Sequence, residues 1–233
     1  MIKRGKPLIK LNNKDFLDDV KKYIKNTREF YKDKNPELEI LAGKFYEEYS
    51  LVNFYKIFNK LWNSGLNGDR ELALLSFKLY KDEFDIITWK FLERKFKEIR
   101  NIEELNFIGE MISYIYRKNQ TIIKDILYLS KSNDIWIKRI SISACFYIVK
   151  RDLVNNQDIL IEVIKRNIHD DNIFIQQILG FLLKKISKSK KEEIKMLILK
   201  NHNLPDSIYF QATEKMKYLR KLRQIKKLNS YVR

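Results

Sequence analysis

A stretch of twenty residues recurs in this chain. SNDIWIKRISISACFYIVKR (132–151) lies over DDNIFIQQILGFLLKKISKS (170–189) at a constant offset of 38 residues, so that Ile135 meets Ile173, Trp136 meets Phe174 and Arg139 meets Gln177. A period of this length carrying two helices is close to that of HEAT-like repeats. Such a unit cannot bury its apolar face alone, and it does so by stacking on the next copy. The expected architecture is all-α, a HEAT-like repeat α-solenoid (αα superhelix) of about six helix pairs. It forms a single domain over 1–233 with flexible ends at 1–13 and 226–233. A non-repetitive helical bundle, in which the match is coincidence, is the alternative.

The spacing of apolar residues agrees with helices. Leu51, Phe54, Ile57, Phe58 and Leu61 form one stripe, Leu105, Ile108, Ile112 and Ile115 a second, and Phe174, Ile178, Phe181, Leu182 and Ile186 a third. Recurrence every three or four residues places such positions on one helical face, predicted here to be the buried one. Between the stripes fall NP at 35–36, SGLNGD at 64–69, KSND at 131–134, HDDN at 169–172 and NLPDS at 203–207. Asp or Asn just before a stripe predicts a helix start, because its side-chain oxygen accepts from free amides of the first turn. Only six Gly and three Pro are present. Turn-rich β folds and glycine-dependent dinucleotide folds need more. About twelve helices with short connections are predicted, and no strand.

Charge narrows the partners. The net charge is +17, with 47 Lys and Arg against 30 Asp and Glu, and 45% of residues are apolar, enough for an ordinary core. From Lys184 onward there are fifteen Lys and Arg against four acids. A surface of that charge density repels itself unless a polyanion or its counterions neutralise it. Nucleic acid fits best, since each phosphate contact releases condensed counterions. The bland alternative is a solvated lysine-rich face. The run TEKMKYLRKLRQIKKLNSYVR is also a basic amphipathic helix of the kind that rests on anionic membranes. Its apolar positions Met216, Leu219, Leu222 and Ile225 are read instead as capping the last repeat.

Several chemistries are excluded. The lone Cys145 leaves no intrachain disulfide and no cysteine-based zinc site, and two histidines, His169 and His202, make no metal centre. No metal and no cofactor are expected. No apolar run reaches the roughly 18 residues of a membrane span, and the N-terminus has no apolar signal core. A soluble, cytoplasmic, nucleoid-associated monomer is expected. Phosphate-loop, dinucleotide and zinc-protease motifs are missing.

Three segments together resemble the DNA alkylation repair glycosylases of the AlkD type, a family of HEAT-like solenoids that remove cationic alkylated purines, over about residues 15–220. SNDIWIKRISIS (132–143) is similar to the family's S-x-N-x-W-x-x-R pattern, with Trp136 and Arg139 at the Trp and Arg positions. The resemblance implies that Arg139 faces the DNA backbone near the lesion, where a guanidinium suits phosphate. Trp136 is read as core packing. DDNIFIQQILGFLLKKISKS (170–189) resembles the family's F-F-I-x-K-A-I-G-W-x-L-R-x-Y-S-K run. Gly180 holds the glycine position, a helix-interior cost that predicts close approach of another backbone. Phe181 replaces an aromatic that the family packs against the deoxyribose, and Lys184 and Ser187-Lys188 keep the polar end.

The third segment departs from the family. Its members carry W-D-x-V-D, whose tryptophan and second aspartate floor the active site. Aligned without gaps, this chain reads LNFIG, with Leu105 at the tryptophan and Gly109 at the catalytic aspartate. A shift of one residue would bring Glu110 to the carboxylate position but turn it about 100° around the helix. A carboxylate beside an oxocarbenium-like sugar contributes about 2.7–4 kcal/mol, roughly 10²–10³ in rate, when it is prealigned. The resulting expectation is a protein that grips duplex DNA with Lys138, Arg139, Gln177, Phe181, Lys184, Lys188 and Arg220, with glycosylase activity reduced or lost. Distorted, damaged or branched DNA is the favoured form because it costs less to deform. Two alternatives stay open: an active alkylpurine glycosylase, and a HEAT-repeat scaffold for an acidic protein.

Overall fold

The computed structural model describes residues 36–153, 157–201 and 203–231. Among them are twelve α-helices, two single 3-10 turns and no strand. The chain divides between Phe84 and Asp85 into two compact units.

The first unit holds α1 (Pro36–Glu48), α2 (Leu51–Trp62) and α3 (Asn67–Leu79). The stripe expected on α2 is buried in full, and its rings build an aromatic core. Phe54 stacks on Tyr80 with centroids 5.1 Å apart, and Phe77 meets Phe84 at 4.6 Å. The buried Tyr80 hydroxyl donates to the carbonyls of Phe45 and Tyr49 at 2.9 and 2.8 Å, so burial and neighbouring Glu83 push its pKa up. Arg70 is also buried. It lies 3.5 Å above the Trp62 ring and donates to the Trp62 carbonyl at 3.0 Å. A buried cation thus finds a π face and an acceptor.

The second unit holds α4 (Ile86–Glu93), α5 (Ile102–Lys118), α6 (Ile123–Leu129), α7 (Ile135–Lys150), α8 (Gln157–Asn167), α9 (Ile173–Ile186), α10 (Lys191–Lys200), α11 (Asp206–Ala212) and α12 (Lys217–Tyr231). Polar caps start the helices as expected. Asp85 accepts from the amides of Ile87 and Thr88, Asn101 from Glu104, Asp134 from Trp136 and Ile137, and Asn172 from Phe174. Asp134 and Asn172 are repeat partners, 38 residues apart. Alternate helices then form a row in which α5 packs on α7, α7 on α9 and α9 on α11. The repeat is visible in space as well: Trp136 and Phe174 occupy equivalent positions, and their rings lie 6.4 Å apart at 21°.

One expectation about α9 needs correction. On α5 the whole stripe Leu105, Ile108, Ile112 and Ile115 is buried. On α9 the buried set is Ile175, Ile178, Leu179, Leu182, Leu183 and Ile186, while Phe174 and Phe181 stand 40% and 42% exposed. The core face is therefore rotated from the predicted one. At the other end, α12 continues to Tyr231. Met216 and Leu219 are buried against the last helices and Leu222 is half-buried. The Ile225 side chain, Val232, Arg233 and the expected flexible segment 1–13 lie outside the described residues.

Candidate functional site

The sequence-predicted site residues separate into an open set on α9 and a closed set on α5 and α7. Gln177, Phe181, Lys184 and Lys188 follow one another at three- and four-residue steps, which puts them on one face of α9. Gln177 and Lys188 are exposed, Phe181 is 42% exposed and Lys184 is half-buried. Phe174 extends the same face, so the helix shows solvent two aromatic rings at one end and two lysines at the other. The Lys184 ammonium pairs with Glu214, just beyond α11. That hydrogen bond first, then the charges of Lys184, Arg220 and Lys215, holds the Glu214 carboxyl below the usual carboxylate range.

Gly180, three residues after Gln177 and four before Lys184, lies at the edge of this face. A Cβ there would come 2.7 Å from the Cβ of Gln211 and 3.3 Å from the carbonyl oxygen of Ser207. The close approach expected from a glycine inside a helix is present, with α11 as the neighbour. It lets α11 sit directly on α9 and brings Glu214 within reach of Lys184.

Arg139 is buried. It is 4% exposed, and its Nη1 donates to the main-chain carbonyl of Phe174 at the start of α9. Burial lowers its pKa, and its Nε has no hydrogen-bond partner among the described residues. The long side chain ties α7 to α9. Lys138 is also engaged, with its Nζ 2.7 Å from Asp170. Arg220 donates through Nη2 to the Phe210 carbonyl and fastens α12 to α11. Trp136, expected in the core, is only half-buried.

The two positions assigned to the family's catalytic floor are both closed. Leu105 is wholly buried. A Cβ on Gly109 would come 2.4 Å from the Ser143 hydroxyl oxygen, 2.8 Å from its Cβ and 3.1 Å from its carbonyl carbon. Two helices in such contact leave no room for a methyl group, much less a carboxylate. Gly109 is a packing residue of the α5–α7 seam. Neighbouring Glu110 reaches across the seam and pairs with Arg151 at 2.7 Å.

Cys145 is fully buried and its thiol is pushed up to about 12, which makes it inert. Cavities of about 200 and 440 Å³ are lined by residues of the α7 end, α8, α9 and α10 and include none of the predicted site residues. Among the described residues no helix is long and apolar enough to cross a membrane.

Comparison with known proteins settles the family. A family model described as DNA alkylation repair enzyme matches residues 6–216. The chain belongs to the DNA alkylation repair enzyme family. Two solved structures share its fold. A predicted DNA alkylation repair enzyme from Enterococcus faecalis has a TM-score of 0.70 at 14% identity, covering 88% of this chain and 96% of that one. AlkD2 from Streptococcus mutans has a TM-score of 0.63 at 16% identity, covering 83% and 97%. Both support the all-helical repeat architecture expected from the 38-residue period. No curated protein matches the chain. Within this DNA alkylation repair chain, sequence reasoning missed Arg151, read Phe174 only as part of a buried stripe and weighed Glu110 only as a displaced carboxylate. Only Phe174 had a signal available, since it lies on the helical face shared by Gln177 and Phe181.

Proposed function

We propose that this member of the DNA alkylation repair family binds the backbone of duplex DNA on the exposed stripe of α9, and that it cleaves glycosidic bonds weakly or not at all. One observation carries the reading. Gln177, Phe181, Lys184 and Lys188 share one open face, in a chain whose basic excess is concentrated in the same C-terminal segment. Lysines supply phosphate contacts without base readout, and an exposed ring supplies an apolar surface for a sugar. The low activity follows from Gly109 and Leu105. A prealigned carboxylate is the largest single electrostatic contribution to hydrolysing a bond whose sugar becomes cationic, and neither residue provides one. The protein acts as a monomer, and DNA that is already distorted binds best because it costs less to bend.

Salt titration of duplex binding tests the first half. The logarithm of affinity should fall linearly with the logarithm of salt, at about −0.9 per phosphate contacted. Lys184→Ala with Lys188→Ala should flatten that slope by about two contacts' worth, roughly 1.8. An unchanged slope would move the interface off α9, and absence of DNA binding would favour the acidic-protein scaffold. Single-turnover release of 7-methylguanine tests the second half. Release as fast as that of a relative carrying the aspartate overturns the low-activity reading.

A further inference from the structure

The helices α6, α8 and α10 stack less regularly than the row α5, α7, α9 and α11. Among the described residues α6 packs on α8, whereas α8 and α10 stand apart and the cavity of about 440 Å³ opens between them. Its floor is Ile161 of α8, Ile168 just beyond that helix, and Met196 and Leu197 of α10. Ile161 also lines the cavity of about 200 Å³, so the two share a wall and follow the chain from Leu160 to Ile168. At a helical rise that is about 12 Å, a little over two turns. One end is fastened. His169 Nε2 lies 3.0 Å from Asn201 Oδ1, and the Asn201 side-chain amide donates to the Leu197 carbonyl at 2.7 Å.

Two properties say what this groove fits. The first is its apolar surface. Met196 is 51% exposed, and Leu199, nearly one turn on, is 38% exposed. A thioether chain with three rotatable bonds adapts readily to an apolar partner. The second is its charge. Glu192 pairs with Lys195 and Glu193 with Lys190, both at 2.9 Å, and Glu162 pairs with Arg166. Lys165 on the α8 wall and Lys200 on the α10 wall are exposed, and neither has an ion-pair partner among the described residues. The groove thus sets an apolar floor between two uncompensated cations. Its complement is a row of apolar side chains flanked by carboxylates. A helix presents that row at i, i+3, i+4 and i+7, over the same two turns that the groove spans. A duplex backbone matches less well, because its phosphates suit the lysines but nothing in it fills an apolar floor.

We propose that the α8–α10 groove is a docking site for an acidic amphipathic helix of another protein. It shares no residue with the α9 stripe, so it stands or falls independently of the DNA-binding reading.

The full-length protein is titrated with a labelled synthetic peptide of about 16 residues, leucine at i, i+3, i+4 and i+7 and glutamate elsewhere, and with a scrambled peptide that has no apolar face. The scrambled peptide measures plain attraction to a chain of charge +17. The ordered peptide should bind at least about tenfold tighter. Met196→Gln, which leaves the charge unchanged, should weaken it at least about fivefold. Lys165→Ala with Lys200→Ala should weaken it about tenfold, whereas Lys184→Ala with Lys188→Ala removes the same charge and should stay within about twofold of wild type. Met196, Lys165 and Lys200 are exposed, so these variants keep the fold. Equal binding of the two peptides overturns the proposal, as do groove variants that bind like wild type or an α9 variant that loses the peptide. A wild type that dimerises while Met196→Gln stays monomeric would assign the groove to a second copy of the chain, and overturns it as well.

Discussion

The α5–α7 and α9–α11 seams share a plan and differ in what they leave open. Each has a glycine where two helices meet, Gly109 on Ser143 and Gly180 on Gln211. Each has an ion pair across it, Glu110 with Arg151 and Lys184 with Glu214. In the first seam the pair is mostly enclosed, 17% and 27% exposed; in the second it is 31% and 44% exposed. Ser143 and Phe181 sit one repeat apart, yet Ser143 is wholly buried and Phe181 is 42% exposed. Arg139 and Gln177, again one repeat apart, divide in the same way. The lesson is that a repeat position does not decide whether a side chain can meet a ligand. What the neighbouring helix lays over it decides that.

The largest effect should come from trying to restore the family's carboxylate. Gly109→Asp would drive a side chain into Ser143 and bury an unpaired charge, at a cost above about 4 kcal/mol. Thermal melting should show the variant unfolded or badly destabilised, with no gain in 7-methylguanine release. A variant that melts within about 5 °C of wild type would mean that the seam can open. Next comes Arg139→Ala, which removes a buried tie to the Phe174 carbonyl and leaves a void. It should destabilise by about 2–3 kcal/mol while leaving the DNA affinity of the folded protein unchanged. Its repeat partner sharpens the contrast, since Gln177→Ala should stay within about 0.5 kcal/mol of wild type but weaken DNA binding. A loss of affinity in Arg139→Ala without loss of stability would restore the phosphate role. Gly180→Ala falls below these. Helix propensity gains about 1 kcal/mol while overpacking against Gln211 costs about 1–3, for a net loss of about 0–2 kcal/mol by chemical denaturation.

The repeat, the helix starts and the basic tail were legible in the sequence because each is a local signal. Asp134 and Asn172 announce their helices by chemistry that acts within three residues. Gly180 announced a close contact because a glycine inside a helix is otherwise a loss. The misreadings all concern direction. Phe174 and Phe181 are apolar, as are Ile175 and Leu179, and periodicity on a helix that is apolar on most of its circumference does not say which side is covered. The resemblance points Arg139 toward DNA, and its guanidinium reaches a carbonyl of the next repeat. That acceptor is main chain and leaves no mark in the sequence. Glu110 and Arg151 are 41 residues apart and become neighbours only once α5 lies on α7.

The smallest effect separates the open ion pair from the enclosed one by pH. The Lys184 hydrogen bond holds the folded Glu214 carboxyl below its ordinary value. A depressed carboxylate stabilises the fold at every pH above the unfolded value of about 4.3, and that contribution fades as pH falls through the lower folded value. Both partners of the pair reach solvent, so salt screens it and the effect stays small. Wild type should therefore melt slightly above Glu214→Gln at neutral pH, with the gap closing as the solution is acidified below about 4.3 and shrinking in high salt. At neutral pH the sign for DNA is opposite. Glu214→Gln leaves Lys184 without its carboxylate, so duplex affinity should rise and the salt slope should steepen by about 0.9. A Glu214→Gln protein that melts lower but binds DNA no better would place the Lys184 ammonium off the DNA path, and the open seam would then be as silent toward phosphate as the closed one.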